Sequence, residues 1–339
     1  MSTIELPLPD AWLVPQTVAR LHADALVWDM TLPWEESFEA SRGDTLERLH
    51  ASGVDVVSLT VAGDREDLDA SVRHIAAERR RIAADARLVF STTVADIRDA
   101  KAAGRLAVAF NMQGTNPLGG NADMVSLYYD LGVRHMLMAY NSRNLVGDGC
   151  AERTDAGLSR FGLIVVEEMN RVGMLVDCSH TGYRTSMDVF EASKAPVIFS
   201  HADARALKEH DRNITDDQID ACAESGGVIG VNGIGPFLGD NDASTELFVR
   251  HMDYIAQRVG ARHVGIGLDF VYFEREFYDL VARRGSLYPA GYPPPPWQLV
   301  QPEQLPETTE RLLGLSYSED DVRGILGENW ARVAEAVWK

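Results

Sequence analysis

The sequence predicts an α/β protein whose parallel strands close into a (β/α)8 TIM-type barrel. Short apolar runs alternate with helical patterns along almost the whole chain, which is typical of parallel strands joined by crossover helices. About eight such units favour a closed barrel over an open sheet. Neither a G-x-G-x-x-G sequence after the first strand nor a Walker sequence is present, which argues against an open nucleotide-binding sheet. We therefore expect one barrel domain over residues 1–339.

The elements follow one another in a regular order. Nine apolar runs have the length of strands, and five segments between them carry the strongest helical pattern. The predicted strands are Ala25–Leu32, Val54–Val61, Arg87–Thr93, Arg105–Met112, Val133–Asn141, Met174–His180, Ala195–His201, Val228–Ile234 and His263–Phe270. The predicted helices are Leu68–Ala86, Gly157–Val172, Thr185–Ala192, Asp216–Ser225 and Thr245–Val259.

The last part of the chain interrupts this order before returning to helices. A loop rich in Pro and Tyr occupies about residues 274–306 and includes Tyr288–Trp297. Helical sequence resumes at Thr308–Leu313 and at Glu319–Trp338, the second of which starts with a Ser/Asp cap. The sequence leaves two roles open for the loop, namely a wall of the pocket mouth or a contact within a homodimer.

Charge and composition exclude several partners. The formal net charge is −19 and no basic stripe is visible, so we expect no nucleic-acid or membrane partner. No apolar run approaches the roughly 20 residues of a membrane span, and the N-terminal residues lack the pattern of a signal peptide. The three cysteines are far apart and form neither a metal motif nor a disulfide framework. We expect a cytoplasmic protein with reduced thiols.

Polar residues end many of the predicted strands. Active sites of parallel barrels are built at the carboxyl ends of the strands, so these residues are the candidates for chemistry. They are Asp29, Gln113, Tyr140, Asn141, Asp177, His180, His201, Asn232 and Asp269.

Two histidines close consecutive strands in similar sequences, "MLVDCSH" and "VIFSH". We therefore expect His180 and His201 to point from adjacent strand ends into the same cavity, where two neutral imidazoles can hold one divalent metal. A single histidine at a strand end is more often a structural hydrogen-bonding residue. Two in successive units favour a metal site.

A carboxylate and an arginine complete the candidates. Asp269 ends "HVGIGLDF", where it either ligates a metal, moves a proton from the attacking water to the leaving group, or caps the next helix. Arg212 and Asn213 lie in the loop "HDRNITDDQ", and arginine suits bidentate binding of a carboxylate, although surface arginines are common.

Taken together, these segments resemble the renal (membrane) dipeptidase family of metallopeptidases, peptidase family M19, which adopts an amidohydrolase-type barrel. The resemblance covers most of the chain. It is densest over "LGVRHMLMAYNSRNLVGDGCAERTDAGLSRFG", "EEMNRVGMLVDCSHTG", "SKAPVIFSHADARAL", "HDRNITDDQI", "GGVIGVN", "HVGIGLDF" and "ILGENWARV".

The resemblance implies a two-zinc site that hydrolyses dipeptides, often with a D-residue at the C-terminal side. His180 and His201 match the two histidines of one metal position. Asp269 matches the catalytic aspartate, and Arg212 matches the arginine that binds the substrate carboxylate. Tyr140 stands where some members carry a substrate-contacting histidine. We add Asn213 and Gln113 as candidate substrate-binding residues.

The second metal position departs from the family pattern. The first strand of the family normally ends in Asp-Gly-His-x-Asp, whereas residues 27–31 here read Val-Trp-Asp-Met-Thr, with Asp29 as the one carboxylate. His22-Ala23-Asp24 offers His-x-Asp but precedes the strand, so we interpret it as unrelated to the metal. The bridging glutamate of the family is Gln113 here, and a neutral amide cannot offset two dications about 3.5–4 Å apart.

Three functions therefore stay open. The first, which the sequence favours, is a hydrolase that cleaves a dipeptide or similar small amide with a water activated by one zinc ion rather than two. His180 and His201 hold this ion together with Asp29 or, as the alternative, Asp269. The second is a hydrolase or lyase in which Asp29 and Gln113 contact a changed substrate. The third is a catalytically silent barrel that binds a small carboxylate ligand.

Overall fold

The computed structural model of the protein describes residues 12–34, 39–272, 278–279 and 295–339. In this part of the chain, eight parallel strands form a nearly closed barrel surrounded by helices, which confirms the predicted fold. None of the helices within these ranges is long and apolar enough to cross a bilayer. The single domain over 1–339 and the homodimer stay predictions. Most of the predicted 274–306 loop lies outside the described residues.

Nine strands occur in the described chain, and all pairings between them are parallel. They are β1 (Trp28–Leu32), β2 (Val56–Gly63), β3 (Leu88–Phe90), β4 (Leu106–Gln113), β5 (Val133–Leu137), β6 (Leu175–Asp177), β7 (Val197–Ile198), β8 (Ile229–Val231) and β9 (Val264–Ile266). Their neighbour order is β7-β6-β5-β4-β2-β1-β9-β8. Phe199 and Ile229 join the two ends of this order, since the Gly230 N–H donates to the Phe199 carbonyl at 2.7 Å.

Strand β3 is the ninth strand and lies outside the ring of eight strands. It pairs only with the first residues of β4, from Leu88 against Leu106 to Phe90 against Val108, and stays half-buried. The predicted run Arg87–Thr93 is shortened because Thr93 and Asp96 form a capping box that starts the next helix. The ring strands, by contrast, are buried on both faces, as their continuous apolar sequences require.

The helices lie between the strands and at the two ends of the chain. They are α1 (Gln16–Asp24), α2 (Glu39–Ala51), α3 (Leu68–Ala84), α4 (Val94–Ala102), α5 (Met124–Asp130), α6 (Arg160–Val172), α7 (Tyr183–Ala192), α8 (Asp216–Glu224), α9 (Gly235–Leu238), α10 (Thr245–Val259), α11 (Leu305–Gly314), α12 (Glu319–Arg323) and α13 (Asn329–Val337). The five helices predicted between strands agree with α3, α6, α7, α8 and α10 to within about three residues.

Helix α13 closes the amino end of the barrel. Trp330 is 1% exposed, its indole N–H donates to the Ile266 carbonyl at 3.1 Å, and its ring lies against the backbone of Gly265. A buried apolar cluster joins α13 to the first residues of several strands, including Trp28 and Val56. The opposite, carboxyl end is thereby left as the accessible end of the barrel.

Candidate active site at the carboxyl end of the barrel

A cavity opens at the carboxyl ends of the strands, where the sequence placed its candidate residues. Gln113, Tyr140, His180 and Asp269 line it together. Each follows or ends a different strand, namely β4, β5, β6 and β9. The structure thus brings four predicted residues into one cavity, and His201 lies directly against His180.

The two histidines form a close, buried pair. Their Nε2 atoms are 3.0 Å apart, and the rings contact edge to face. The Nδ1 atom of His180 lies 2.7 Å from the side-chain oxygen of Asn141, which can only accept, so Nδ1 of His180 carries its proton and Nε2 presents a lone pair. The Nδ1 atom of His201 contacts the Ser200 hydroxyl at 2.7 Å. This hydrogen-bond network assigns His180 the tautomer that can ligate a metal through Nε2.

Both histidines are neutral at neutral pH. Burial lowers the pKa of His180 and of His201 well below the usual value, and the positive charge of Arg212 lowers both further. His180 also adopts a left-handed backbone with φ of 60°, a strained conformation that clusters at functional sites. Neutral imidazoles are the form in which histidine binds metals.

Asp177 connects the two loops that carry the histidines. Its Oδ1 accepts from the backbone N–H groups of Ser179, at 2.9 Å, and Ser200, at 3.1 Å. Its Oδ2 lies 3.1 Å from Nδ1 of His135 in β5. Burial acts to raise the pKa of Asp177, but the hydrogen bonds from His135 and Ser200, together with the nearby imidazoles, outweigh it and hold the pKa at about 2. The carboxylate is therefore ionised and fixes both loops.

Asp269 is held by an amide from the neighbouring strand. The Asn232 side-chain N–H donates to Oδ2 of Asp269 at 3.2 Å, and the Ile234 N–H donates to the Asn232 side-chain oxygen at 2.7 Å, which fixes the orientation of that amide. Burial raises the pKa of Asp269 to about 6, against the charge of Arg212 and the hydrogen bond from Asn232. A carboxyl group with this pKa can both take and release a proton near neutral pH.

Asp29 lies in β1, fully buried beside β9. Its Oδ1 accepts from the N–H groups of Leu268, at 2.9 Å, and Thr31, at 3.3 Å. Its Oδ2 is buried without a hydrogen-bond partner among the residues described. Burial raises the pKa of Asp29 to about 7, partly opposed by the two backbone N–H groups. His22 of the alternative His-x-Asp sequence contacts Thr309 and the Ser52 carbonyl instead, in α1 and away from this region.

The remaining predicted residues differ in how directly they face the cavity. The Tyr140 ring stacks on His180 with centroids 4.0 Å apart, and the Gln113 side-chain N–H donates to Thr60 at 3.2 Å. The Arg212 guanidinium donates to the His201 carbonyl at 2.9 Å and borders a second polar cavity that His180 separates from the first. The Asn213 amide donates to the carbonyls of Lys208 and Phe237, both at 2.8 Å. The substrate contacts of Arg212 and Asn213 stay predictions.

The donor set limits the metal that this site can hold. Catalytic zinc sites use three protein ligands and a family-type two-metal site needs a bridging carboxylate, whereas Gln113 supplies a neutral amide. No group of three His, Cys, Asp or Glu side chains within the described ranges is placed to hold a metal, so Asp29 is not grouped with the histidines. The structure thus brings two candidate imidazole ligands together and places no third beside them among the residues described, and Gln113 offers no charge to bridge a second ion. The predicted ligands His180, His201 and Asp29 stay predictions.

The sequence analysis listed Asp177 and Asn141 among the strand-end candidates but did not assign their positioning roles, and it did not single out His135 or Ser200. The role of Asp177 and the contribution of His135, Asn141 and Ser200 depend on which strand lies beside which, and no local pattern reveals it. Asp64 is a further example, because its half-buried carboxylate accepts from the backbone of Tyr140 and from Asn144, both at 2.9 Å, and so holds the loop that carries Tyr140.

The sequence of this chain is similar to those of several known proteins. The model of the membrane dipeptidase family, peptidase family M19, matches residues 18–280. The dipeptidase aclJ of Aspergillus oryzae is 32% identical over 253 residues, which are 73% of this chain and 56% of that protein. The dipeptidase verJ of Clonostachys rogersoniana is 36% identical over 54% of this chain and 48% of its own length. The chain thus spans about half the length of the curated relatives it matches.

Solved structures extend the likeness to the whole fold. An amidohydrolase from Pseudomonas aeruginosa is 33% identical, with a TM-score of 0.86 over 95% of this chain and 99% of that one. A metallo peptidase from Rhodobacter sphaeroides, liganded with a phosphinate mimic of the dipeptide L-Ala-D-Ala, has a TM-score of 0.75 at 22% identity over 93% of this chain and all of that one. The second likeness shows the fold alone.

Proposed function

This chain belongs to the membrane dipeptidase family, peptidase family M19, and from that premise we propose that it hydrolyses a dipeptide or a similar small amide. The observation that supports the proposal best is the convergence of Asp269, Tyr140 and His180 on one cavity, with His201 against His180. These residues come from four different strand ends of one barrel. Convergence of proton-transfer and ligand groups at this end is what barrel hydrolases use.

Each residue has a stated role in this reaction. Asp269 takes the proton of the attacking water and passes it to the leaving amine, for which a pKa of about 6 is well matched. Tyr140 donates a hydrogen bond beside the scissile group, and Arg212 binds the substrate carboxylate. Gln113 and Asn213 contact the substrate through neutral amides.

One zinc ion is the cofactor in this proposal, with His180 and His201 as ligands. Asp29 stays the predicted third ligand, although the described structure does not group it with the two histidines. When bound, the ion would supply Lewis acidity toward the water and the scissile carbonyl. The chain's own contribution is to keep both imidazoles neutral by burial and to hold them through Asp177 and Asn141.

The test is hydrolysis of L,L- and L,D-dipeptides by the purified protein and by the variant Asp269→Asn. We expect kcat to fall at least about a hundredfold in the variant, because a neutral amide cannot shuttle a proton. Asp99→Asn, which changes an exposed carboxylate on α4, is the matched control and should keep full activity. Undiminished hydrolysis by the Asp269→Asn protein would exclude the proposed role.

A second function is favoured by one observation, the neutral Gln113 where the family has a bridging carboxylate. A silent barrel of this kind would bind small carboxylates without cleaving any dipeptide. Binding of dipeptides by calorimetry with no turnover, with or without added zinc, would select this alternative.

A further inference from the structure

The wall of the active-site cavity divides into two halves that follow the order of the strands. Residues after the neighbouring strands β8, β9 and β1 form one half, whereas residues on and after β2, β4, β5 and β6 form the other. The first half, here called the apolar half, consists of Pro33, Trp34, Ile234, Phe237, Val271 and Trp297, together with Asp269. Most of the polar side chains, among them Gln113 and Tyr140, belong to the second, polar half.

The apolar half is a continuous surface. Four of its residues join Leu299 in one buried cluster, in which the backbone of Ile234 pairs with that of Leu299 and so holds Trp297 beside it. The Trp34 ring lies against the Tyr272 ring with centroids 5.0 Å apart, and Tyr272 packs on the same cluster. A cavity wall of this kind binds an apolar side chain by removing it from water.

Asp269 stands within this apolar surface. Of the described residues that line the apolar half, Asp269 is the one with an ionisable side chain. The Asn232 amide donates to Asp269 at 3.2 Å, and its oxygen accepts from the Ile234 N–H at 2.7 Å. One amide therefore fixes the carboxyl group beside the apolar wall.

The position of Asp269 determines which part of a dipeptide meets the apolar half. In the proposed reaction Asp269 passes its proton to the leaving amine, and this nitrogen belongs to the C-terminal residue of the substrate. The Cβ atom of that residue is only two bonds from the nitrogen. Its side chain therefore starts next to Asp269, whereas the N-terminal residue lies on the other side of the scissile bond, toward the polar half.

On the basis of the proposed function, we propose that the apolar half is the subsite for the side chain of the C-terminal residue, and that the preferred dipeptides carry an apolar residue such as leucine there. An acidic side chain in this position would exchange its water for apolar groups and the Asp269 carboxyl, which is unfavourable. An apolar side chain on the N-terminal residue gains less, because it faces the polar half.

The test compares Ala-Leu, Leu-Ala and Ala-Ala, each with an L- and with a D-residue at the C-terminal side. Leucine adds three carbon atoms to alanine, and each is worth about fourfold in affinity when fully buried. With part of this burial, we expect kcat/KM for Ala-Leu to exceed that for Ala-Ala about tenfold. Leu-Ala has the same composition as Ala-Leu and should exceed Ala-Ala by no more than about twofold.

Variants of the wall locate the preference. Ile234→Thr introduces a hydroxyl group into the apolar half and should reduce the ratio of Ala-Leu to Ala-Ala to about threefold or less. Val271→Thr is a second variant with the same expected direction. Ile164→Thr is the matched control, since Ile164 on α6 is 54% exposed, and it should retain the ratio. Each ratio is taken within one protein, so a variant that is partly unfolded still reports it.

A ratio near one in the unmodified protein, equal gains for Ala-Leu and Leu-Ala, or a ratio that survives both wall variants would overturn the inference. Binding of free leucine against free alanine requires no turnover, and fluorescence of Trp34 and Trp297 in the wall can follow it. Tighter binding of leucine that Ile234→Thr weakens, without cleavage of any dipeptide, would uphold the subsite and reject the hydrolase. In a protein that cleaves no dipeptide, equal or undetectable binding of the two amino acids would overturn the subsite.

Discussion

Asp29 is the residue at which this chain departs most from the first-strand pattern of its family. Because its side chain is buried, its ionisation should affect the stability of the protein. Its pKa is raised from 3.8 to about 7, so the folded state binds the Asp29 proton more tightly than the unfolded state. The stabilisation from this proton is fully present below pH 4 and is lost as the pH rises through 7. A shift of this size corresponds to an upper limit of about 4 kcal/mol.

We therefore predict that Asp29→Asn is more stable than the unmodified protein at pH 8, and that the advantage shrinks toward pH 5. Asparagine keeps an oxygen for the Leu268 and Thr31 N–H groups and removes the buried charge. Urea unfolding of metal-free protein at both pH values measures the difference. Asp99→Asn, on the surface, should show no such dependence on pH, and a pH-independent effect of Asp29→Asn would contradict the argument.

Individual residues were predictable from the sequence only where strand position alone identifies them. His180 and Asp269 follow apolar runs, and this placement is enough to bring them to one end of a parallel barrel. Asp177 and Asn232 were also listed as strand-end candidates, but their contacts were not predictable. Asp177 at the end of β6 accepts from Ser200 after the neighbouring β7, and Asn232 after β8 donates to Asp269 after the neighbouring β9. Those contacts depend on which strands are neighbours, which a single sequence does not reveal.

At the scale of elements, the sequence succeeded where capping and periodicity agree. Helix α10 occupies the predicted Thr245–Val259, with a Ser244 cap before it. The final predicted helix, Glu319–Trp338, is instead divided into α12, a π-helical turn at Gly324–Glu328, and α13. A Cβ at Gly327 would lie 2.3 Å from the Leu26 carbonyl, so this turn packs backbone to backbone on the start of β1. Backbone packing of this kind produces no periodic pattern of apolar residues, so the sequence does not reveal it.

The closure of the barrel by α13 leads to a stability prediction. Trp330→Ala should lower the free energy of unfolding by about 3–5 kcal/mol, because it leaves a cavity between α13 and β9 and removes the hydrogen bond to the Ile266 carbonyl. Chemical denaturation measures the change. Leu315→Ala removes a leucine that is about half exposed and should change the stability by less than about 0.5 kcal/mol. Comparable losses in the two variants would show that α13 does not close the barrel in the way described.

At the scale of the whole molecule, the order of the strands in the barrel determines where each site residue stands around the open end. Helix α13 covers the amino ends of the strands, so ligands enter at the carboxyl ends. There the histidine pair stands on β6 and β7, Asp269 follows β9, and the apolar cluster with Ile234 and Val271 lies beside Asp269.

The metal prediction belongs to the whole molecule, because an ion bound only by the folded chain stabilises the entire fold. After treatment with a chelator, zinc at a hundred times its dissociation constant should add about 2.7 kcal/mol of stability, which raises Tm by a few degrees. His180→Ala should abolish the rise, since its Nε2 lone pair faces His201. His50→Ala, whose ring contacts the Val54 carbonyl outside the site, should retain it. Elemental analysis should find about one zinc per chain. Two per chain would contradict the donor-set argument from Gln113 and Asp29, and a Tm that millimolar zinc leaves unchanged would leave the histidine pair without its proposed ligand.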